Sequence, residues 1–414
     1  MLLIGDIHIN TRYQDKILTE LRTIFSTYPD EKTIIFFGDY VYHFAYDRNA
    51  LLQLYKLFLE LLGQGKHVYI LAGNHDRLGN SFVFEEAQKA FETLSQHWNI
   101  WTFKHWNINF ITKPTLETIE GENVLLLPFF LPEEQKECNY TPKNERLKSI
   151  SDFSTLLQKS THKHESFSWY INNFLTEQIE KNANLTIFHH YYINGTSFPW
   201  QKSKFNYKDV ALNEQFLDIP TIKLISWHLH QPFTHNNYLC LGSVWSTSSL
   251  ETNQNKYIFQ YDVKNKKVTA LPLMINPQVT IRSKEALTKT ALLDELQKIN
   301  EVNKGYFSSP MWNVEFKENS KPNLTNISLT LNVEHIDYDK MDELIDPDLR
   351  TSCKDIRLKK DIENMDSLLN SFKVSSDDLN GFSDRKNILQ EYMQKKFGND
   401  YPKYEKVLKE LKLL

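Results

Sequence analysis

Cysteine is scarce. Cys138, Cys240 and Cys353 are the whole complement, odd in number and far apart, with no CxxC pair. That excludes a disulfide framework and a thiolate zinc site, and it fits a reducing compartment. Long apolar runs are missing too. None approaches the roughly 20 residues that a membrane span needs, and Met1 leads directly into a strand-like segment with nothing resembling a signal before it. The expectation is a cytoplasmic protein without membrane association. Charge of one sign is also lacking, for the net charge is −4 with 24% charged residues. No global basic excess is there to attract nucleic acid. A nucleic-acid ligand would need a local basic patch, or metal ions, to meet its phosphates.

What the chain does contain is a set of apolar runs that stop abruptly at polar, metal-seeking residues. Ile34-Ile35-Phe36-Phe37 ends at Gly38-Asp39. Leu2-Leu3-Ile4-Gly5 ends at Asp6 and His8. The run from His67 to Ala72 ends at Gly73-Asn74-His75-Asp76. Leu185-Thr186-Ile187-Phe188 ends at His189-His190, and Ile222 to Trp227 ends at His228-Leu229-His230. A lone Asp-x-His, or a lone histidine pair, is commonplace on a surface. Five apolar runs that each stop at such residues are not.

Between the first three runs the pattern is helical. Ile17, Leu18, Leu21, Ile24 and Phe25 share one face over 14–27, and a leucine-dense stretch over 47–62 stops at Gly63 and Gly65. This predicts βαβαβ with ligands at the carboxyl ends of strands, where open α/β sheets place their sites. A helix is expected near 81–95. Short strands over 100–104, 108–112 and 123–129 predict a second sheet packed on the first. A helix over 167–182 leads to the His189 strand, and 192–207 reads as a substrate-side loop. A hairpin is predicted over 257–273. At 414 residues the chain has room for two or three domains. The expected division is a core over 1–275, a small α/β cap over 276–336 and a helical region over 337–414, with a joint at 373–384. Helices are expected at 387–397 and 404–414.

The seven ligand candidates are Asp6, His8, Asp39, Asn74, His189, His228 and His230. They mix carboxylate, amide and imidazole, which suits manganese, iron or zinc. Seven exceed what one transition metal needs. Two ions sharing Asp39, with three further ligands each, use them all. Such a pair, roughly 3.5–4 Å apart, can clamp a phosphoryl group. His75, beside Asn74, is then free to donate a proton or hydrogen bond, and Asp76 either orients it or serves the loop.

In this order these residues resemble the motifs of the calcineurin-like metallophosphoesterases, over about 1–275. The resemblance implies a two-sheet α/β sandwich with a dinuclear site. Asp6, His8, Asp39 and His230 would hold one ion. Asp39, Asn74, His189 and His228 would hold the other, with His190 as the alternative to His189. His75 would be the catalytic histidine. The last motif departs from the family, since Trp227 stands where Gly is usual. The segment from Tyr238 through Gly242-Ser243-Val244-Trp245 to Glu251 is similar to the double-strand-break-repair nucleases, the SbcD-like branch that includes the T-even phage endonuclease subunit. That branch implies manganese-dependent cleavage of DNA, as a double-strand exonuclease and a single-strand or hairpin endonuclease. It also implies a homodimer within a complex with an SbcC-like SMC-type coiled-coil ATPase. Its further histidine after the bridging aspartate would be Tyr42 by position here, so His43, one residue late, is the candidate second catalytic group. The alternative is a stand-alone phosphoesterase acting on small phosphoesters or phosphoproteins.

Overall fold

The computed structural model describes residues 1–41, 44–78, 81–85, 88–89, 107–129, 163–196, 210–248, 251–283, 286–317, 324–333 and 344–360. His43, the strand expected over 100–104, most of the 192–207 loop, the 373–384 joint and the two C-terminal helices lie outside them. The chain builds half of one sheet, then all of a second, and then returns to finish the first. Strand β1 (Leu2–Ile4), helix α1 (Gln14–Thr27), β2 (Thr33–Phe36), α2 (Phe44–Gly63), β3 (His67–Leu71) and β4 (Asn107–Ile111) come first, with the four strands parallel and side by side in that order. The second sheet takes β5 (Thr115–Ile119), β6 (Glu122–Leu127), then after α3 (Lys163–Lys181) β7 (Thr186–His189), β8 (Lys223–Ser226), β9 (Phe233–His235) and β10 (Tyr238–Cys240), in the spatial order β9-β10-β8-β7-β6-β5.

The returning strands are β11 (Lys256–Asp262) and β12 (Lys267–Leu273), which form the predicted antiparallel hairpin. β11 pairs antiparallel with β1. Further on come β13 (Gln278–Ser283), α4 (Lys289–Gly305), β14 (Asn313–Phe316), β15 (Ser328–Val333) and β16 (Asp355–Lys360). β14 adds parallel to β12, so the first sheet has seven strands, and β13, β15 and β16 make a sheet of three.

Alternation along the strands sorts side chains into layers. Ile34 and Phe36 face α1 and α2, where they meet Ile17, Leu21, Leu54 and Phe58. Ile35 and Phe37 face the other way, into the seam between the sheets, with Leu3, Leu71, Leu126, Phe188, Ile225 and Trp227. On the far side Ile187 and Leu224 pack against Ile171 and Leu175 of α3. The result is the expected two-sheet sandwich with helices outside. Each fully buried Leu, Ile or Phe contributes about 1.5–3 kcal/mol.

Two expectations are corrected. The strand expected over 108–112 does not join the second sheet: β4 extends the first, pairing parallel with β3 from His67↔Asn107 to Leu71↔Ile111. The period-2 pattern marks a strand without saying which sheet it joins. The helix expected from Ser81 does not begin there, since Ser81–Phe82 pairs antiparallel with Arg77–Leu78. Residues 286–331 and 343–357 belong to the same compact unit as 1–281, and a second unit takes 282–285, 332–342 and 358–414. No described helix is long and apolar enough to cross a membrane.

Candidate metal centre

The loops at the carboxyl ends of β2 and β3 are locked together by one buried carboxylate. Asp76 accepts the backbone N–H groups of Asp39 (2.8 Å), Tyr40 (2.8 Å) and Gly73 (2.7 Å). It therefore serves the loop. Glycine is required where these loops interlock: Gly38 has φ +111°, and a Cβ on Gly73 would lie 2.2 Å from Oδ1 of Asp39. Asp39 itself turns left-handed, at φ 46°, and His8 does so at φ 42°, where the N–H of His8 donates to the Asp39 carbonyl at 2.8 Å. Such backbone costs roughly 1–3 kcal/mol per residue and persists only where the surroundings impose it.

The Asp39 carboxylate is divided in its tasks. Oδ1 accepts the His75 N–H at 2.8 Å. Oδ2 faces two imidazoles, with Nε2 of His190 at 3.4 Å and Nε2 of His8 at 3.9 Å. Burial acts to raise the Asp39 carboxyl, but His190, His8 and His75 outweigh it and hold it well below the usual range. Asp6 has no such help. It is fully buried, burial and then Asp39 push its pKa well above the ordinary value, and among the described residues neither of its oxygens has a hydrogen-bond partner.

From the second sheet come His190, His228 and His230. Nε2 of His190 lies 2.7 Å from Oδ1 of Asn74, and the His228 ring packs 4.6 Å from that of His190. Nε2 of His230 is 3.7 Å from Oδ2 of Asp6 and 3.2 Å from Nε2 of His8. Glu251, 5% exposed, receives Nδ1 of His230 at 2.9 Å. That contact leaves the Nε2 lone pair of a neutral His230 pointing at Asp6 and His8.

His189 is the correction. It has the parity of Ile187, so it faces the α3 layer, where its ring stacks on Tyr238 at 6.0 Å. Tyr191 donates its N–H to Nδ1 at 3.4 Å. His190 has the parity of Phe188 and reaches the seam. Trp227, in the place of the usual Gly, is fully buried there, 4.0 Å from the Phe37 ring, and the turn into His228 still forms. His75 is exposed, with its ring 5.4 Å from that of His8.

Two groups of ligand atoms emerge, Asp6–His8–His230 and Asp39–His190–His228, each with its atoms within 4.8 Å of one another. Asn74 adjoins the second through His190, and Oδ2 of Asp39 lies between the two. The donor set fits a pair of divalent cations. Imidazole lone pairs converge on buried carboxylates, and a cation is what the unpartnered oxygens of Asp6 lack.

Residues 1–232 match the model of the calcineurin-like phosphoesterases. The chain belongs to this family. No curated protein matches it. Among solved structures, a protein of unknown function from Aquifex aeolicus, AQ665, matches at 14% identity over 53% of this chain and 91% of its own, with a TM-score of 0.17. At that score the likeness carries no argument. As a calcineurin-like phosphoesterase the chain is a metal-dependent phosphoester hydrolase. Two cations held by these groups would supply Lewis-acid polarisation of a phosphoryl group and an activated water nucleophile.

The sequence left two choices open, His189 or His190 and the role of Asp76, and gave no hint of the grip of Glu251 on His230 beyond the residue's proximity to Gly242-Ser243. For Asp76 the only signal was its place after a Gly-Asn turn.

Proposed function

We propose that this phosphoesterase is a manganese-dependent DNA nuclease of the SbcD-like branch. It would cut double-stranded ends exonucleolytically and single strands or hairpins endonucleolytically, as a homodimer partnered by an SMC-type coiled-coil ATPase. The observation that carries this reading is where the segment resembling that branch lies. Ser243, Val244, Trp245 and Glu251 fall beyond the matched 1–232, yet they line the metal centre. Ser243 bridges to Asp6, the Val244 N–H donates to the Asp6 carbonyl at 2.9 Å, and the Trp245 indole donates to the Ile7 carbonyl at 2.7 Å. The donor set, oxygen and imidazole without thiolate, is compatible with manganese.

In this reading Asp6, His8, Asp39 and His230 hold one ion, and Asp39, Asn74, His190 and His228 the other. Exposed His75 protonates the leaving oxygen as the phosphodiester P–O bond breaks and water attacks from the opposite side. A second reading, a stand-alone phosphoesterase for small phosphoesters or phosphoproteins, is favoured by the net charge of −4, which offers no global attraction to DNA. The deciding experiment compares a DNA hairpin, bis-p-nitrophenyl phosphate and p-nitrophenyl phosphate with manganese present. Cleavage of the hairpin and the diester supports the nuclease. Turnover of the monoester alone would favour the second reading.

A further inference from the structure

His230 is held from behind by a buried lysine. Lys256, on β11, is 3% exposed, and burial alone would pull its pKa down, with Glu251 opposing. Its Nζ donates to Oε2 of Glu251 at 2.6 Å, to the His230 carbonyl at 2.8 Å, to Oγ of Ser243 at 2.9 Å and to Oε1 of Gln254 at 3.1 Å. The first three acceptors lead to the same ion group by separate routes. The other oxygen of Glu251 meets Nδ1 of His230. The carbonyl is His230's own. Ser243 bridges to Asp6, and its N–H donates to the His230 carbonyl at 3.2 Å. None of the four acceptors belongs to the Asp39–His190–His228 group.

The segment between Glu251 and Lys256 has its own anchor. Asn303, on α4 and 1% exposed, accepts the Asn255 N–H at 3.1 Å and the Gln231 amide at 3.3 Å, and donates to the Asn253 carbonyl at 2.9 Å. Gln231 is the neighbour of His230. A helix outside the family-matched residues therefore grips both sides of one ligand.

We infer that Lys256 is a positioning residue for the Asp6–His8–His230 ion alone, and that Asn303 holds the segment that presents it. Lys256 fixes Glu251, Ser243 and the His230 peptide together, which sets Nε2 of His230 and the Asp6 carboxylate at ligand separation. The inference rests on the two-ion reading of the cluster. The test is titration of the full chain with manganese(II), by calorimetry and by electron paramagnetic resonance of the bound ion. The unsubstituted protein binds two ions. In Lys256→Met one ion weakens about 10–100-fold, the range for loss of an outer-shell partner, while the other keeps its affinity. Asn303→Leu, further from the ions, shows the same selective loss and decides the matter if Lys256→Met does not fold. Thermal unfolding of the metal-free variants reports fold damage separately. Two unchanged affinities, or two that fall together, would overturn the inference. An unsubstituted protein that takes up fewer than two ions would instead sink the two-ion reading itself, and this inference with it.

Discussion

His189 and His190 are adjacent in the chain and point into different layers, so a pair of substitutions separates them. His190→Ala is expected to lose an ion and, with it, hydrolysis. His189→Phe keeps an aromatic ring against Tyr238 and is expected to retain both ions by elemental analysis. If His189→Phe lost an ion and His190→Ala did not, the strand parity argument would be wrong. His75 is the other residue with a role of its own. His75→Ala should lower phosphodiester hydrolysis about 10²–10⁴-fold, the usual weight of a general acid, with both ions still bound. Loss of the ions in that variant would make it a ligand. At this scale the sequence spoke clearly about which residue types gather and said little about which way they turn. Asp6, His8, Asp39, His228 and His230 were legible because each follows an apolar run. The choice between two neighbouring histidines depends on where β7 ends, which one residue of register decides.

At the scale of elements, the carboxyl ends of β2 and β3 behave as one loop assembly because Asp76 accepts from three backbone donors, and the β1 loop joins them through the His8 N–H on the Asp39 carbonyl. Asp76→Ala leaves these buried N–H groups without an acceptor and should cost about 3 kcal/mol or more, read as a lower denaturation midpoint, with both ion affinities reduced. Stability loss with unchanged ion binding would show that the loops keep their shape unaided. The elements themselves were largely readable. α1 occupies the predicted 14–27, and the hairpin of β11 and β12 lies where alternation put it. What could not be read was partnership over distance. β4 looked like the start of a new sheet and joined the old one, and Asn303 meets residues some 50 and 70 positions back, Asn253 and Gln231. A single chain displays its periodicities openly, but such pairings are set by packing.

In the whole molecule, buried imidazoles tie stability to acidity. His8 and His189 are each held neutral by burial, which lowers their pKa to about 3. Their unfolded counterparts take up protons below about 6.5. Between those values the unfolded chain binds more protons than the folded one, so stability rises with pH and is lost as pH falls from 6.5 toward 3. The metal-free protein should lose about 1.4 kcal/mol per pH unit for each such histidine in that window, seen as a melting temperature that drops on acidification. Asp6 and Asp76, whose carboxyls are raised by burial, act with the opposite sign, so the histidine share is read by difference: His189→Phe should flatten the acid-side loss, and an unchanged pH dependence in that variant would contradict its burial as a neutral ring. The candidate ligands also divide by origin: Asp6, His8, Asp39 and Asn74 end strands of one sheet, while His190, His228 and His230 follow strands of the other. Cations bound there would fasten the two halves of the sandwich along its open rim, and only the folded chain presents that grip. Unfolding would then depend on the free divalent cation by mass action, with the melting temperature climbing as the ion is added. A chelator would lower its stability as urea does, but by unpicking a rivet instead of dissolving a core.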